Sequence, residues 1–229
     1  MNMKRVTGIG GTFFKAKNIA ATHDWYRNEL GFDIGDWGAA FTWIDTDPNN
    51  KNVCSTAWST FKDDSKHFAP STVPYMLNYR VHDLKNLIDN LRSEGVEVVG
   101  GIDEYDYGKF AWIMDSEGRK IELWEPVDSG FGDPAPPWSK KVVGLSGIFF
   151  KSEDPSKTKE WYKKHLGIDN GFGQIDRLTN KEVFVTWEPL DNNNEIFSGT
   201  DKPFAFAYRT KDTNASLIDP DGNKVILVS

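Results

Sequence analysis

Gly8-Ile9-Gly10-Gly11-Thr12-Phe13-Phe14-Lys15 returns 136 residues later as Gly144-Leu145-Ser146-Gly147-Ile148-Phe149-Phe150-Lys151. The same spacing pairs Trp25-Tyr26 with Trp161-Tyr162, Leu30-Gly31 with Leu166-Gly167 and Asp33 with Asp169. Further out, Pro74-Tyr75 through Tyr79-Arg80 and Asp83 match Pro203-Phe204 through Tyr208-Arg209 and Asp212, now 129 residues apart. Met114-Asp115-Ser116-Glu117-Gly118 with Lys120-Ile121 matches Ile218-Asp219-Pro220-Asp221-Gly222 with Lys224-Val225 at a spacing of 104. A period this long marks a tandem duplication. Between the copies, Pro126 to Lys141 holds four Pro and two Gly and no apolar period, the composition of an extended linker. The chain therefore divides into a first domain over 1–127, a linker over 128–141 and a second domain over 142–229.

The fall in spacing from 129 to 104 leaves the second copy 25 residues short in its last part. The first copy has a helix there, Leu84 to Glu94, then Gly95-Val96-Glu97-Val98-Val99 and a Gly-rich acidic loop, whereas Asp212 runs through Thr213 and Asn214 into Ala215. Either the segment is deleted or it is missing from the sequence, and the intact flanks favour the second reading. Loss of a covering helix and strand predicts a large bare apolar patch.

Periodicity supplies the elements. Thr7 to Lys15 alternates as a strand, Asn18 is an N-cap, and Ile19, Ala20, Trp25, Tyr26 and Leu30 recur at helical spacing before Gly31. Phe41 to Ile44 and Val53 to Trp58 read as further strands. The order repeats with Tyr75 to Val81, an Asp83 cap, a helix to Glu94 and strands at Val96–Val99, Phe110–Met114 and Lys120–Trp124, the last two joined by a turn at Asp115 to Gly118. The expected class is α+β: tandem βαβββ modules forming curved mixed half-barrel sheets with helices on the convex side.

Composition bounds the function. Hydrophobic residues are 38% and charged residues 27%, enough for a packed core. A net charge of −7 argues against nucleic-acid or anionic-membrane partners, which reward clustered Lys and Arg. No apolar run is long enough to span a bilayer, and none follows the first residues as a signal peptide would. Cys54 is the single cysteine and sits in a β-prone run, so it is expected to be buried, with no internal disulfide and no Cys-based zinc site. The expected location is the cytoplasm. The aromatic load is high, with nine Trp, fifteen Phe and seven Tyr. Trp25 and Trp161 read as duplicated packing positions and Trp43 is paired with Trp187, while Trp138 falls in the linker; Trp37, Trp58, Trp112 and Trp124 are left unmatched.

Gly-Gly-Thr-Phe-Phe-Lys, then Trp25-Tyr26 with Leu30-Gly31-Phe32, then Asp115-x-x-Gly118-x-Lys120-Ile121-Glu122-Leu123-Trp124-Glu125-Pro126, resemble the vicinal-oxygen-chelate superfamily. Asp219 to Leu227 is similar to its terminal hairpin. The superfamily includes glyoxalases, extradiol dioxygenases and fosfomycin- and bleomycin-resistance proteins. The resemblance covers nearly the whole chain except the linker, and it implies a fold more firmly than a chemistry. It also implies pairing of modules, between domains or in a homodimer.

In the metal-using members a ligand sits seven residues before each helix-starting Asp or Asn, with a Glu on the last strand. Here those positions are Gly11, Met76, Gly147 and Ala205, and of the terminal Glu positions Glu122 is present while its counterpart is Ile226. The resemblance thus implies no usual metal site, so no cofactor is expected, with a divalent metal as the minor alternative. His23 and His165 read as surface or helix-end histidines; His82 after the Tyr75–Val81 strand and His67 in a polar loop could each help a site, but neither has a partner at ligand spacing.

Strand alternation then maps a concave face. Phe13 and Lys15, Met76, Asn78 and Arg80, and Glu122 and Trp124 share one parity, with Trp43, Trp58 and Trp112 from the middle strands. Such a face suits a small, partly aromatic organic ligand. Two plainer readings stand beside it: an Arg80–Glu122 ion pair closing the half-barrel, and an interdomain contact for Trp124. Asp103 to Tyr107 reads as a solvated rim, or as a lid hinged at Gly100-Gly101 and Gly108.

Three functions follow. The first is a metal-free small-molecule-binding protein of the bleomycin-resistance type. The second is a glyoxalase-like lyase or isomerase, or a dioxygenase, with Glu122 as general base or remnant ligand and Arg80 or Lys15 stabilising an enolate. The third is a non-catalytic interaction module. The sequence has no nucleophile elbow, phosphate loop or His-Glu-x-x-His.

Overall fold

Apolar alternation and helix caps produce their elements in the expected order. The computed structural model describes residues 5–47, 52–127 and 141–229, so the expected linker lies outside the described residues except for Lys141. The first half comprises β1 (Val6–Ala16), α1 (Ile19–Trp25) continued by a π-helical turn (Tyr26–Leu30), β2 (Ala39–Ile44), β3 (Val53–Lys62), β4 (Tyr75–Val81), α2 (Leu84–Ser93), β5 (Val98–Tyr105), β6 (Gly108–Met114) and β7 (Lys120–Pro126). A 3-10 turn, Lys66–Phe68, lies between β3 and β4. The second half comprises β8 (Val142–Ser152), α3 (Pro155–Leu166), β9 (Gly171–Asp176), β10 (Glu182–Asp191), β11 (Phe204–Thr210), β12 (Ala215–Ile218) and β13 (Lys224–Val228). Asn18 and Asp154 cap their helices by accepting from Ala21 N and Lys157 N, and Gly31 and Gly167, both at φ 70°, close them. No helix among the described residues is long and apolar enough to cross a membrane.

The strands form one mixed sheet in the order β12-β13-β11-β8-β10-β9-β2-β3-β1-β4-β7-β6-β5. Each half is a curved run, and the two runs meet where β2 and β9 pair antiparallel, Trp43 opposite Asp176 and Ile44 opposite Ile175. Modules one and three are βαββ rather than the expected βαβββ. The extra strand is replaced in module one by a loop closed on itself between Gly35 and Gly38.

The convex faces pack on each other, and much of the aromatic load lies between them. Phe14, Tyr26, Phe32 and Trp58 of the first half meet Phe204, Phe206 and Tyr208 of the second, with Phe14 and Phe204 centroids 5.8 Å apart and Phe32 and Tyr208 5.3 Å apart. The mirror cluster sets Trp187 4.6 Å from Tyr162, and the Trp187 Nε1–H donates to Tyr79 Oη at 2.7 Å. Trp187 faces Ile148 on β8 as Trp58 faces Thr12 on β1, so Trp58, not Trp43, is its repeat partner.

Polar contacts dock each helix onto the opposite half. Tyr162 Oη donates to Asp115 Oδ2 at 3.0 Å, and Tyr26 Oη to Asp219 Oδ2 at 3.2 Å. Glu117 accepts from Ser152 Oγ, Thr158 Oγ1 and the N–H groups of Glu153 and Asp154 at the start of α3. The shortened connection before β12 is a closed turn, in which Thr213 N donates to Thr210 Oγ1 and Asn214 pairs with Ser229. The expected bare patch is smaller than its sequence implied. Val225 and Leu227 stay buried in the shared core, while Ala215 and Leu217 on the same face are half-exposed.

Candidate functional site

Glu122 occupies the centre of the first half's concave face. Register places Asn78 beside it on β4 and Trp112 beside it on β6. Its carboxylate accepts from Asn78 Nδ2 at 2.6 Å through Oε1 and from Trp112 Nε1 at 2.8 Å through Oε2. These two bonds satisfy a buried charge that would otherwise be costly. Among the described residues Asn78 and Trp112, not the Arg80 of the ion-pair reading, supply the hydrogen bonds to Glu122. The guanidinium carbon of Arg80 instead lies between two indoles, 5.2 Å from the Trp124 ring and 5.8 Å from the Trp43 ring.

Met76, opposite Phe13, lies fully buried beneath the groove. Gly10 and Gly11 make this floor possible. A Cβ on Gly10 would strike Asn78 Oδ1, and one on Gly11 would lie 2.6 Å from the Phe13 ring. Asn78 Oδ1 itself is buried and has no hydrogen-bond partner.

Three residues outside the expected set, Phe61, His67 and Lys120, complete the mouth. His67, from the 3-10 turn, stacks on Phe61 with centroids 5.0 Å apart and brings Nε2 to 3.6 Å from Glu122 Oε2. Lys120 extends along the Trp112 ring at 5.1 Å and donates to the carbonyl of His67 at 2.7 Å. Burial pushes the Lys120 ammonium below its usual range, against the pull of Glu122. Phe13, Phe61, His67 and Trp112 all keep half-exposed rings around this opening. Lys15 stands at its edge, 5.5 Å from the Phe68 ring.

The far end of the face is filled by its own side chains. Phe110 stacks on Trp124 at 5.8 Å, Tyr107 meets Phe110 edge-on at 5.6 Å, and Tyr105 stacks on Tyr107 at 5.3 Å. Trp124 thus lies within the first half's own concave face. Tyr105 and Tyr107 are 52% and 42% exposed, as a rim requires. Gly108 is packed closely, since a Cβ there would lie against the Trp124 indole and the Glu125 carbonyl.

Trp58 is placed differently from its expectation. Parallel pairing opposite Thr12 turns it away from the groove into the shared core, where it is fully buried. The concave face thus collects Phe13, Lys15, Trp43, Met76, Asn78, Arg80, Trp112, Glu122 and Trp124 but not Trp58. His165 sits in the last turn of α3, as the helix-end reading expected, but it is buried rather than at the surface and bonds Glu94 Oε2 through Nδ1 at 2.7 Å. Cys54 is buried, as its β-prone run implied. Lys120 was legible as the residue two before Glu122; His67 could be named as a histidine able to help a site but not placed, since a turn outside the sheet delivers it.

No family model matches the chain, and no curated protein matches it in sequence. Solved structures do match. A Mn(II)-bound glyoxalase from Novosphingobium aromaticivorans superposes with a TM-score of 0.64 at 13% identity, covering 98% of this chain and 82% of that one. The 2,3-dioxygenase LapB from Pseudomonas sp. KL28 gives 0.61 at 13% identity, with 98% and 92% covered. Homoprotocatechuate 2,3-dioxygenase from Arthrobacter globiformis gives 0.60 at 10% identity, with 98% and 80% covered. The chain has the vicinal-oxygen-chelate fold. At these identities the likeness shows the fold alone.

Whether a metal fits is a question for the donor set. In this chain the four strand positions implied for ligands hold Gly11, Met76, Gly147 and Ala205, of which none offers an oxygen or nitrogen side chain. Glu122 already accepts two hydrogen bonds, and His67 is its one imidazole neighbour within 4 Å. Among the described residues no group of three His, Cys, Asp or Glu converges. A divalent ion needing four or more ligands does not fit this set.

Proposed function

We propose that the protein is a cytoplasmic small-molecule-binding protein that holds a planar, partly aromatic organic ligand on the concave face of its first half, without a metal. The observation that carries this reading is the commitment of Glu122 to Asn78 and Trp112 while the rings of Phe13, Phe61, His67 and Trp112 remain half-exposed around it. A ligand slides between ring faces, and Lys15, His67 and the edge of Glu122 supply its polar anchors.

Titration of chelator-treated protein with small aromatic acids, phenols and heterocycles, read by tryptophan fluorescence, tests it. Saturable quenching that is unchanged by added Mn(II), Fe(II) or Zn(II) is the expected result. Trp112→Leu should weaken binding by ~10-fold or more, as expected for loss of a stacking surface and a carboxylate partner. Binding that appears only with a stoichiometric metal would overturn the reading.

The approach of His67 Nε2 to Glu122 favours one second reading, a proton-transferring lyase or isomerase. Under it, Glu122→Gln would abolish turnover while leaving ligand affinity within a few-fold.

A further inference from the structure

Among the described residues, β12 is the one strand of its kind with an open edge. Four strands, β2, β6, β9 and β12, occupy the same place in the four modules, each paired on one side with the strand that follows it in sequence. On the other side β6 is covered by β5, while β2 and β9 pair antiparallel with each other. β12 ends the sheet. Where equivalent strands lack a covering strand, this chain pairs them with one another.

The ladder fixes which groups face outward. Asp219 N bonds Asn223 O, so in the register of β12 with β13 the hydrogen-bonded pairs are Leu217 with Val225 and Ala215 with Leu227. The N–H and C=O groups of Ser216 and Ile218 therefore point away from β13. Their counterparts in the first half are Trp112 and Met114, and Met114 N is bonded there to Glu97 O at 3.0 Å. β12 also carries the features that invite pairing: no charge, no Pro, and Ile218 41% exposed. The opposite edge, β5, is guarded by Asp103 and Glu104 and by a register shift between Val99 and Asp103.

We propose that β12 pairs antiparallel with β12 of a second copy about a two-fold axis at Leu217. In this register Ser216 of each copy faces Ile218 of the other, so the four outward groups of each strand become paired. The half-exposed Leu217 side chains meet across the axis, covering apolar surface that the missing helix leaves open. Charge selects this partner over the other free edge. β12 with β12 apposes uncharged strands, β5 with β5 apposes acidic ones, and a head-to-tail β12–β5 contact would leave its acidic ends unmatched. A four-residue edge is short, so the dimer is weak and concentration-dependent.

Sedimentation velocity over a concentration series, joined to cross-linking in a Cys54→Ser background, tests the proposal. Ser216→Pro removes an N–H that the monomer does not use, so the fold survives, as circular dichroism would confirm, and association should fall by ~10-fold or more. Leu217→Cys places two thiols on the axis at a spacing compatible with a disulfide, and mild oxidation should give a covalent dimer whose yield Ser216→Pro suppresses. A chain that stays monomeric and gives no covalent dimer overturns the proposal. So does a dimer that Ser216→Pro leaves intact, or a dimer captured only between Leu217→Cys and Asp103→Cys, which would place β5 at that edge.

Discussion

Gly10 shows how little room the floor of the groove has. A Cβ there would strike Asn78 Oδ1 and come within 3.0 Å of the Trp124 ring, so it would drive Asn78 off Glu122. Overpacking of this kind costs about 1–3 kcal/mol, and Gly10→Ala should lower the denaturation midpoint accordingly. Gly101→Ala is the matched control, since nothing lies within 4 Å of its added carbon, and its effect should stay within ~0.5 kcal/mol. The alternation that located Asn78, Arg80, Glu122 and Trp124 on one face was legible because β4 and β7 run regularly. Trp58 was misplaced because alternation gives two faces without saying which is which. The parallel register that sets Trp58 opposite Thr12 is a long-range fact. His67 could not be placed for a different reason, being aimed by a turn whose Phe68 is buried beside it.

At the scale of elements, the β6–β7 and β12–β13 hairpins dock onto α3 and α1 with unlike chemistry. Asp115 forms a buried ion pair with Arg119 at 2.6 Å, whereas Asp219 faces Asn223, which donates at 2.8 Å. Removing one partner of a buried pair strands the other charge, so Asp115→Asn should cost about 3–5 kcal/mol in chemical denaturation at neutral pH. Asp219→Asn should cost much less, because burial holds the Asp219 carboxyl above its usual range, against the pull of Asn223. The neighbouring Glu117 behaves oppositely. Burial would raise it, but hydrogen bonds from Ser152 and Thr158 and the charge of Arg119 bring it down to about 2, from 4.5 when unstructured. A depressed folded value means that this stabilisation is complete above pH 4.5 and is lost as pH falls toward 2. Solvent at its edge screens it to on the order of 1–2 kcal/mol. Stability measured between pH 6 and pH 2.5 should therefore fall less in Glu117→Gln than in the wild type. The hairpins themselves were legible from Asp-x-x-Gly turns, but their docking was not, since each binds a helix from the other copy.

Across the whole molecule, the aromatic load is explained by the way the copies meet. Trp58 and Trp187 are the repeated indoles of one shared core. Each lies against rings from its own helix, Tyr26 at 4.7 Å and Tyr162 at 4.6 Å, and those helices dock by hydrogen bonds onto the opposite half. A duplicated sequence can be recognised in one dimension, but it does not say whether its copies stand apart or share an interior. Here they share one, because the convex faces hold the large rings of both halves and β2 continues into β9. Neither half could keep its rings buried alone, so the chain should unfold in one step. Chemical denaturation followed by tryptophan fluorescence, near-ultraviolet and far-ultraviolet circular dichroism should give coincident midpoints. Trp187→Ala, about 3–5 kcal/mol destabilising, should move all three together, although the residue lies in the second half. If only part of the signal shifted, leaving a transition belonging to the first half in place, the two copies would be separate folding units and the shared core a contact of little consequence.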